Sequence, residues 1–444
     1  MGKAAPAVKC LMDLLRINDR PGKYPSSFYV QNIEPLPNVE PLAEDVTCDV
    51  CIIGGGFTGV STALHLAKRG YKVRLLEAQR VGFGASGRNG GQVGQGQRLN
   101  QDDLEKMFGK PRAKELWQIG TQAVEIVREL SQSPSVRADF HPGIIHADHR
   151  SHYVPHSRSY VEKMQTEYNY PHLSFLDRSA LAEVVQSPVY KGGTLDIRAG
   201  HIDPLQFVLG LGRMAQSAGA TLHENSQVTD LVQGEMNKIH TKLGSIKANY
   251  VVLACNGYIG DLHRDVTRRV MPINNYIVAT TPFSAEERAK ILRDNVAVAD
   301  SKFVVNYFRF SEDNRLLFGG TESYRYRFPK DIAAQVRRPL EVIFPQLKGV
   351  RIDYAWGGTL GISMNRLPHF ANYGGNILSM SGFSGHGVAL GTLSGQIAAE
   401  AIVGQAERFD IMSQIQSPTF PGGKAMRHPL LILAMLWFSI KDRL

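Results

Sequence analysis

Residues 48–78 read CDVCIIGGGFTGVSTALHLAKRGYKVRLLEA. An apolar run, CDVCII, meets three glycines. A helix near Thr58–Arg69 follows, and a second apolar run, KVRLLEA, covers Lys72–Ala78. Strand, turn, helix, strand is the context in which Gly54-x-Gly56-x-x-Gly59 carries meaning. Gly54 permits the tight turn, Gly56 lets backbone approach a pyrophosphate, and Gly59 lets helix pack on strand. The helix N-terminus then turns free N–H groups and a positive dipole end toward phosphates. Glu77 follows Gly54 by 23 residues and ends the second strand. A carboxylate there accepts hydrogen bonds from a ribose 2′-OH and repels a 2′-phosphate. The unit predicts NAD or FAD and disfavours NADP. The plainer alternative is a tight turn beside a surface acid.

More than 300 residues later the chain reads SMSGFSGHGVALG, Ser379–Gly391, with four glycines within ten residues. Again an apolar strand runs into a helix, here expected over Val388–Val403. An NAD dehydrogenase needs no second glycine turn so late in the chain. FAD is longer, and its ring system must be gripped far from its adenine. The N-terminus of this late helix would face the flavin N1–C2=O edge, where negative charge gathers on reduction, an interaction of ~0.3–2 kcal/mol. The alternative is a helix packed tightly on its strand.

A chain of 444 residues is too long for one simple core. Its composition, 43% hydrophobic and 20% charged, fits a globular enzyme. The formal net charge is +9, yet no Lys/Arg block is dense enough for a nucleic-acid patch, and no nucleic-acid partner is expected. Four cysteines, Cys10, Cys48, Cys51 and Cys255, make no disulfide scaffold and point to a reducing compartment. Cys48-x-x-Cys51 opens an apolar strand, so a buried role is favoured over a redox one. The first twenty residues lack an uninterrupted apolar run, so a cytoplasmic location is expected. Pro6 stands where a myristoylation signal needs Ser or Thr. Near the end, Leu430–Phe438 is unbroken and apolar but far short of the ~20 residues of a membrane span. It is a packing helix or, over 430–440, a peripheral membrane contact.

The pieces of the nucleotide unit stand at both ends of the chain, and a β-rich texture fills Met271–Gly320. The expected fold is α/β: a Rossmann-like FAD-binding domain with an inserted, β-rich mixed-sheet substrate domain. The boundaries are an arm over 1–45, a nucleotide part over 46–100, 195–262 and 355–410, an inserted part over 101–194 and 263–354, and a tail over 411–444. One long helix is expected within Leu104–Leu130, another from Pro204, another at Ile332–Ile343, and a strand in SKFVVNYFRF.

With GFGASGRNGGQ, HIDPLQF, ACNGY and GFSGHGVALG, the quoted unit resembles the D-amino-acid oxidase-like superfamily of FAD enzymes. Within it the chain is similar to the γ-glutamylputrescine oxidase branch of bacterial polyamine catabolism. The resemblance implies that Gly54, Gly56, Thr58 and Gly59 hold the pyrophosphate and that Glu77 holds the adenosine ribose. It places Ala85, Ser86, Gly87, Arg88, Asn89, Gly90, Gly91 and Gln92 along the pyrophosphate and flavin, and Val228 at adenine. Gly385, His386, Gly387 and Val388 fall at the flavin's pyrimidine edge, with Gly358 nearby. Relatives with covalent flavin carry a Cys in the segment matching WGGTLG or a His in the early loop. This chain has neither, so noncovalent FAD is expected. Sarcosine oxidase-like members carry a Lys near the flavin where this chain has Leu317.

The implied reaction is oxidation of an amine or amino acid: hydride passes from the α-carbon to flavin and the imine hydrolyses. Aromatic walls favour the neutral amine by desolvation. Candidates are Tyr276, Tyr307 and Trp356 as walls, Arg309 as a fork for a substrate carboxylate, and His386 inside the flavin turn. Each aromatic also reads as plain core and Arg309 as a strand-face charge; His369 and His201 read as structural. No side-chain cluster has metal-ligand spacing. Three functions stay open: an oxidase using O2, a membrane-associated dehydrogenase feeding a quinone or carrier, and a nucleotide-binding module without catalysis.

Overall fold

The computed structural model describes residues 13–323 and 325–422. Cys10 and the apolar stretch 430–440, with the membrane contact considered for it, lie outside the described residues.

Two sheets carry the chain. The first forms around the quoted unit. Strand Asp45–Ile53 pairs in parallel with Val73–Leu76 on one side and Ser245–Leu253 on the other. The order is His369–Tyr373, Ile377–Ser381, Ser245–Leu253, Asp45–Ile53, Val73–Leu76, Thr221–His223, the first strand antiparallel to its neighbour and the others parallel, with Asn237–His240 and Asp230–Val232 added antiparallel beside Ser245–Leu253. Val50, Cys51 and Ile52 are fully buried, because a parallel sheet covered on both faces demands a continuous apolar run. The two strand cysteines are packing residues, and burial pushes both thiols up. Helix Phe57–Ala67 starts at Gly56 and is buried nearly throughout. It packs between helices Gly387–Ile402 and Pro204–Ser217. The latter opens on Asp203, whose side chain accepts from the N–H groups of Leu205 and Gln206.

The long helix expected within Leu104–Leu130 is two helices, Gln101–Phe108 and Lys110–Ser131. Gly109, at φ 77°, ends the first, and Pro111 fits the first turn of the second. Helix Ile332–Ile343 has the bounds expected of it.

The second sheet has nine strands, ordered Ile352–Ile362, Met271–Thr280, Leu316–Ser323, Tyr307–Phe310, Ala297–Asp300, His141–Asp148, Gly192–His201, Gln92–Val93, with Leu173–Leu176 beside Gly192–His201. It is antiparallel except where Ala297–Asp300 meets His141–Asp148. Gly192–His201 and Ile352–Ile362 belong to this sheet, although the boundaries at 195 and 355 put most of each in the nucleotide part. Each pairs along most of its length here, which satisfies its backbone. Within SKFVVNYFRF only Tyr307–Phe310 is strand. Asn306 before it turns back, its N–H and Nδ2 both donating to Asp300.

Alternation divides the sheet into two faces. Tyr276, Val278, Phe308 and Phe318 pack with helix Ile332–Ile343 in an outer core. Ile277, Ala279, Leu317 and Trp356 join the core of the nucleotide part, with Tyr307 packed against it. A β-bulge interrupts the phase: Ile277 pairs with Gly319 but Tyr276 with Thr321, so Gly320 is an extra residue. Among the described residues, no single helix is long and apolar enough to cross a membrane.

Candidate cofactor and active site

A crevice of about 1430 Å³ opens at the C-terminal ends of the parallel strands, where ligands bind in open α/β sheets. Gly54, Gly56, Glu77, Ala85, Ser86 and Val228 line it. The glycines are there for space. A Cβ on Gly59 would stand 1.9 Å from the Gly54 carbonyl oxygen, and one on Gly56 would stand 2.7 Å from Ser86 Oγ. Ser86 Oγ accepts from the Phe57 N–H at the helix start, 3.0 Å away. Glu77 accepts from the N–H groups of Gly55 (2.7 Å) and Gln79 (2.8 Å). Burial pushes its carboxyl up to about 7 against those two donors. Sequence reasoning missed other lining residues: Cys255, Asn256 and Tyr258 after strand Ser245–Leu253, Thr359, and Arg325–Arg327.

The N-terminal arm crosses this crevice. Asp13, Leu14 and Leu15 line it. Leu15 O accepts from Gln79 Nε2 at 2.8 Å, and Gly22 N–H donates to Gln79 Oε1 at 2.6 Å. Asn18 clips the arm to the inserted part, donating to Tyr326 O (2.7 Å) and accepting from the Phe328 N–H (2.8 Å). Asp19 pairs with Arg88 at 2.9 Å, with the two side chains 9% and 1% exposed. Arg88 also donates to Phe83 O and Gly357 O, and its Nη2 has no partner among the described residues. Arg88 thus joins arm, glycine loop and inserted sheet. Asn89, expected to face cofactor, instead closes its own loop: Nδ2 donates to Ala85 O and Ser86 O, and Oδ1 accepts from the Gly91 N–H. Gln92 donates to Val298 O.

The late glycine turn does not line the crevice; it packs against Gly94–Arg98. Gly382, Ser384 and Gly385 all take positive φ (75°, 54° and 91°). Helix Gly387–Ile402 opens at His386. The His386 Nε2 lies 3.1 Å from Gln95 O. A carbonyl only accepts, so Nε2 carries the hydrogen. Burial, helped by Arg98 and His146, holds His386 down to about 4; the ring is neutral near pH 7. Arg98 donates from Nε to Ser384 O at 3.2 Å.

Of the proposed walls, the structure brings two together and excludes one. Trp356 and Tyr307 share the inner face; Trp356 Nε1 donates to Arg88 O, and Tyr307 OH donates to Asn275 Oδ1. Tyr307 lies across Gly319 and Gly90, where added Cβ atoms would strike its ring at 2.2 and 2.8 Å. Tyr276 points to the outer core, its ring edge-on to Phe328 at 5.6 Å, because it is one residue out of phase with Ile277. Arg309 is no substrate fork either. Its donors go to the carbonyls of Gly90, Phe310 and Ile202 and to Tyr29 OH. Gly358 lies against Arg88 Cβ. Leu317 is buried and apolar. His201 and His369 are buried. Among the described residues no group of three His, Cys, Asp or Glu could hold a metal ion.

Residues 49–401 match the DAO family, FAD dependent oxidoreductase, and the chain belongs to it: this is an FAD-dependent oxidoreductase. More particularly, the chain is 40% identical over 418 residues to the probable oxidoreductase OrdL of Rhizobium meliloti (strain 1021), covering 94% of this chain and 97% of that one. It is 36% identical over 423 residues to the gamma-glutamylputrescine oxidoreductase of Escherichia coli (strain K12), covering 95% and 99%. Glycine oxidase from Geobacillus kaustophilus shares the fold, with a TM-score of 0.69 at 20% identity over 80% of this chain and 95% of that one. So does L-proline dehydrogenase from P. horikoshii, with a TM-score of 0.67 at 21% identity over 81% and 94%. The residues present fit FAD: a cradle that Cβ atoms would fill, a carboxylate at the second strand end, and an orphaned buried donor on Arg88.

Proposed function

We propose that the protein oxidises an amine, γ-glutamylputrescine or a related N-acylated diamine or amino acid, with O2 as acceptor and H2O2 as product. The observation that carries this reading is identity to the E. coli enzyme across 99% of that enzyme's length. Bound FAD supplies the hydride acceptor. The chain's own part is to hold, dry and orient. Gly54, Gly56, Gly59, Glu77 and Val228 would hold the nucleotide end. Trp356, Tyr307 and Ile277 form an apolar wall, and desolvation there favours the neutral amine over its cation. His386, neutral near pH 7 and donating to Gln95 O, adds no charge beside the late helix N-terminus.

One observation favours a second reading. Leu317 offers no cation where sarcosine oxidase-like relatives carry a Lys, which suits a dehydrogenase passing electrons to a quinone or carrier. Anaerobic mixing of the purified holoprotein with a panel of amines tests both, read from the flavin band at ~450 nm. Bleaching by γ-glutamylputrescine, then stoichiometric H2O2 on admitting air, supports the oxidase. Bleaching followed by reoxidation only with a quinone supports the dehydrogenase. A flavin that no amine bleaches overturns both.

A further inference from the structure

We propose that Glu322 is the amine-recognition residue of this enzyme: its carboxylate binds the substrate's ammonium group and takes its proton before hydride leaves the α-carbon. The inference rests on the amine-oxidation reading above and adds the group that receives the amine.

The β-bulge carries the argument. Leu317 and Gly319 lie on the inner face with Ala279 and Ile277. Strict alternation from them would put residue 321 inside and Glu322 on the outer core face. Gly320, the extra residue, shifts the phase by one, and a one-residue slip exchanges the faces of everything beyond it. Glu322 therefore pairs with Asn275, which pairs in turn with Gly358. That is the row that receives the Tyr307 hydroxyl and abuts Arg88. Bulges recur beside active sites because they re-aim a side chain. The extra residue has room only as glycine: a Cβ on Gly320 would lie 2.3 Å from Asn306 Oδ1.

One oxygen of the carboxylate aimed inward is left without a proton donor. Its Oε2 is buried and has no hydrogen-bond partner among the described residues. Burial raises its pKa, while Arg366 and Arg98 draw it down. Arg98 acts on it by charge from the loop after the glycine-rich segment, where its Nε donates to Ser384 O. Arg366 comes from the turn before strand His369–Tyr373, and Tyr307 faces it from the neighbouring strand. A buried carboxylate oxygen without a donor is costly. An ammonium ligand offers up to three donors and an opposite charge, a charge-assisted pairing for the free oxygen.

The step balances without another reactant. An ammonium N–H bond breaks, its electron pair stays on nitrogen, and the proton forms an O–H bond on Glu322. The products are a neutral amine and a neutral carboxylic acid. The free lone pair can then assist departure of the α-hydride. A carboxylate raised by burial is a stronger base for this transfer than a solvated one.

The test compares wild type, Glu322→Gln and Glu322→Asp as holoenzymes, using an amine that bleaches the wild-type flavin. The retained flavin band reports an intact fold and cofactor. Glu322→Gln is expected to raise KM at least about 30-fold, the equivalent of ~2 kcal/mol for a broken buried charge pair. It should also abolish the acid-side fall of kcat/KM, which Glu322→Asp should retain. A second readout needs no turnover. The tert-butylammonium ion has no α-hydrogen; it should perturb the wild-type and Glu322→Asp flavin bands, more weakly as pH falls, and leave Glu322→Gln unperturbed. Unchanged KM, acid limb and tert-butylammonium binding in folded Glu322→Gln overturn the proposal. If that variant does not fold, absent or pH-independent binding of tert-butylammonium to wild type overturns it. A wild-type flavin that no amine bleaches defeats the amine-oxidation reading itself, a separable result.

Discussion

His369 is 7% exposed on the edge strand of the first sheet, with Nε2 3.3 Å from Tyr373 OH and no partner for Nδ1 among the described residues. Burial holds it down to about 4, from an ordinary value of 6.5. The unfolded chain therefore binds the proton first as pH falls. The contribution to stability is complete above pH 6.5 and disappears as pH drops toward 4. Its ceiling is ~3 kcal/mol at 1.36 kcal/mol per pKa unit. His369→Asn should lose less stability than wild type between pH 6.5 and 4, measured by urea unfolding across that range; parallel curves would contradict it. Gly54, Gly56 and Glu77 were legible from their own neighbourhood, Ser86 and Val228 only from the family resemblance, and the structure gathers all five at one crevice. The glycines act through backbone, Glu77 through its place at a strand end and Ser86 through its hydroxyl on the Phe57 N–H. Tyr276 and Arg309 were not legible: Tyr276 alternates with Ile277 and so falls in the outer core, and Arg309 spends its donors on the carbonyls of Gly90, Phe310 and Ile202 and on Tyr29 OH, partners that only the folded chain supplies.

The arm segment from Asp13 to Gly22 has no regular structure, yet it spans the crevice and ties both parts of the molecule together. Its latch is the buried Asp19–Arg88 pair. Removing one member of such a pair strands the other charge. Asp19→Ala should lower stability by about 3 kcal/mol and speed loss of FAD, read as the ~450 nm absorbance remaining after gel filtration. Because apolar pairs often replace buried ion pairs without loss, Asp19→Leu with Arg88→Met should recover stability. Full flavin retention in Asp19→Ala would show that the arm does not secure the cofactor. Most other elements were readable in kind. The quoted strand, turn and helix formed where periodicity and glycine placed them, as did helices Pro204–Ser217 and Ile332–Ile343. The split at Gly109 had a local signal, a glycine two residues before a proline, that periodicity overrode.

Across the whole molecule, the DAO family assignment, the paired sheets and the crevice describe one flavin enzyme. The segment Trp356–Gly361 holds no Cys and Phe83–Gln97 no His, so FAD should be held without a covalent bond. Acid precipitation should leave all the yellow colour in the supernatant; flavin in the pellet would refute this. Local chain chemistry was enough to assign the fold class and a dinucleotide turn; the choice of FAD came from the family resemblance. Glycine turns, apolar runs and helix starts depend on residues close together in the chain. Contacts between distant strands decided which face of the inserted sheet looks inward, what Arg88 and Arg309 hold, and that Glu322 points toward the inner face. Those outcomes follow from register and burial, which exist only once segments about 40 to 280 residues apart have met.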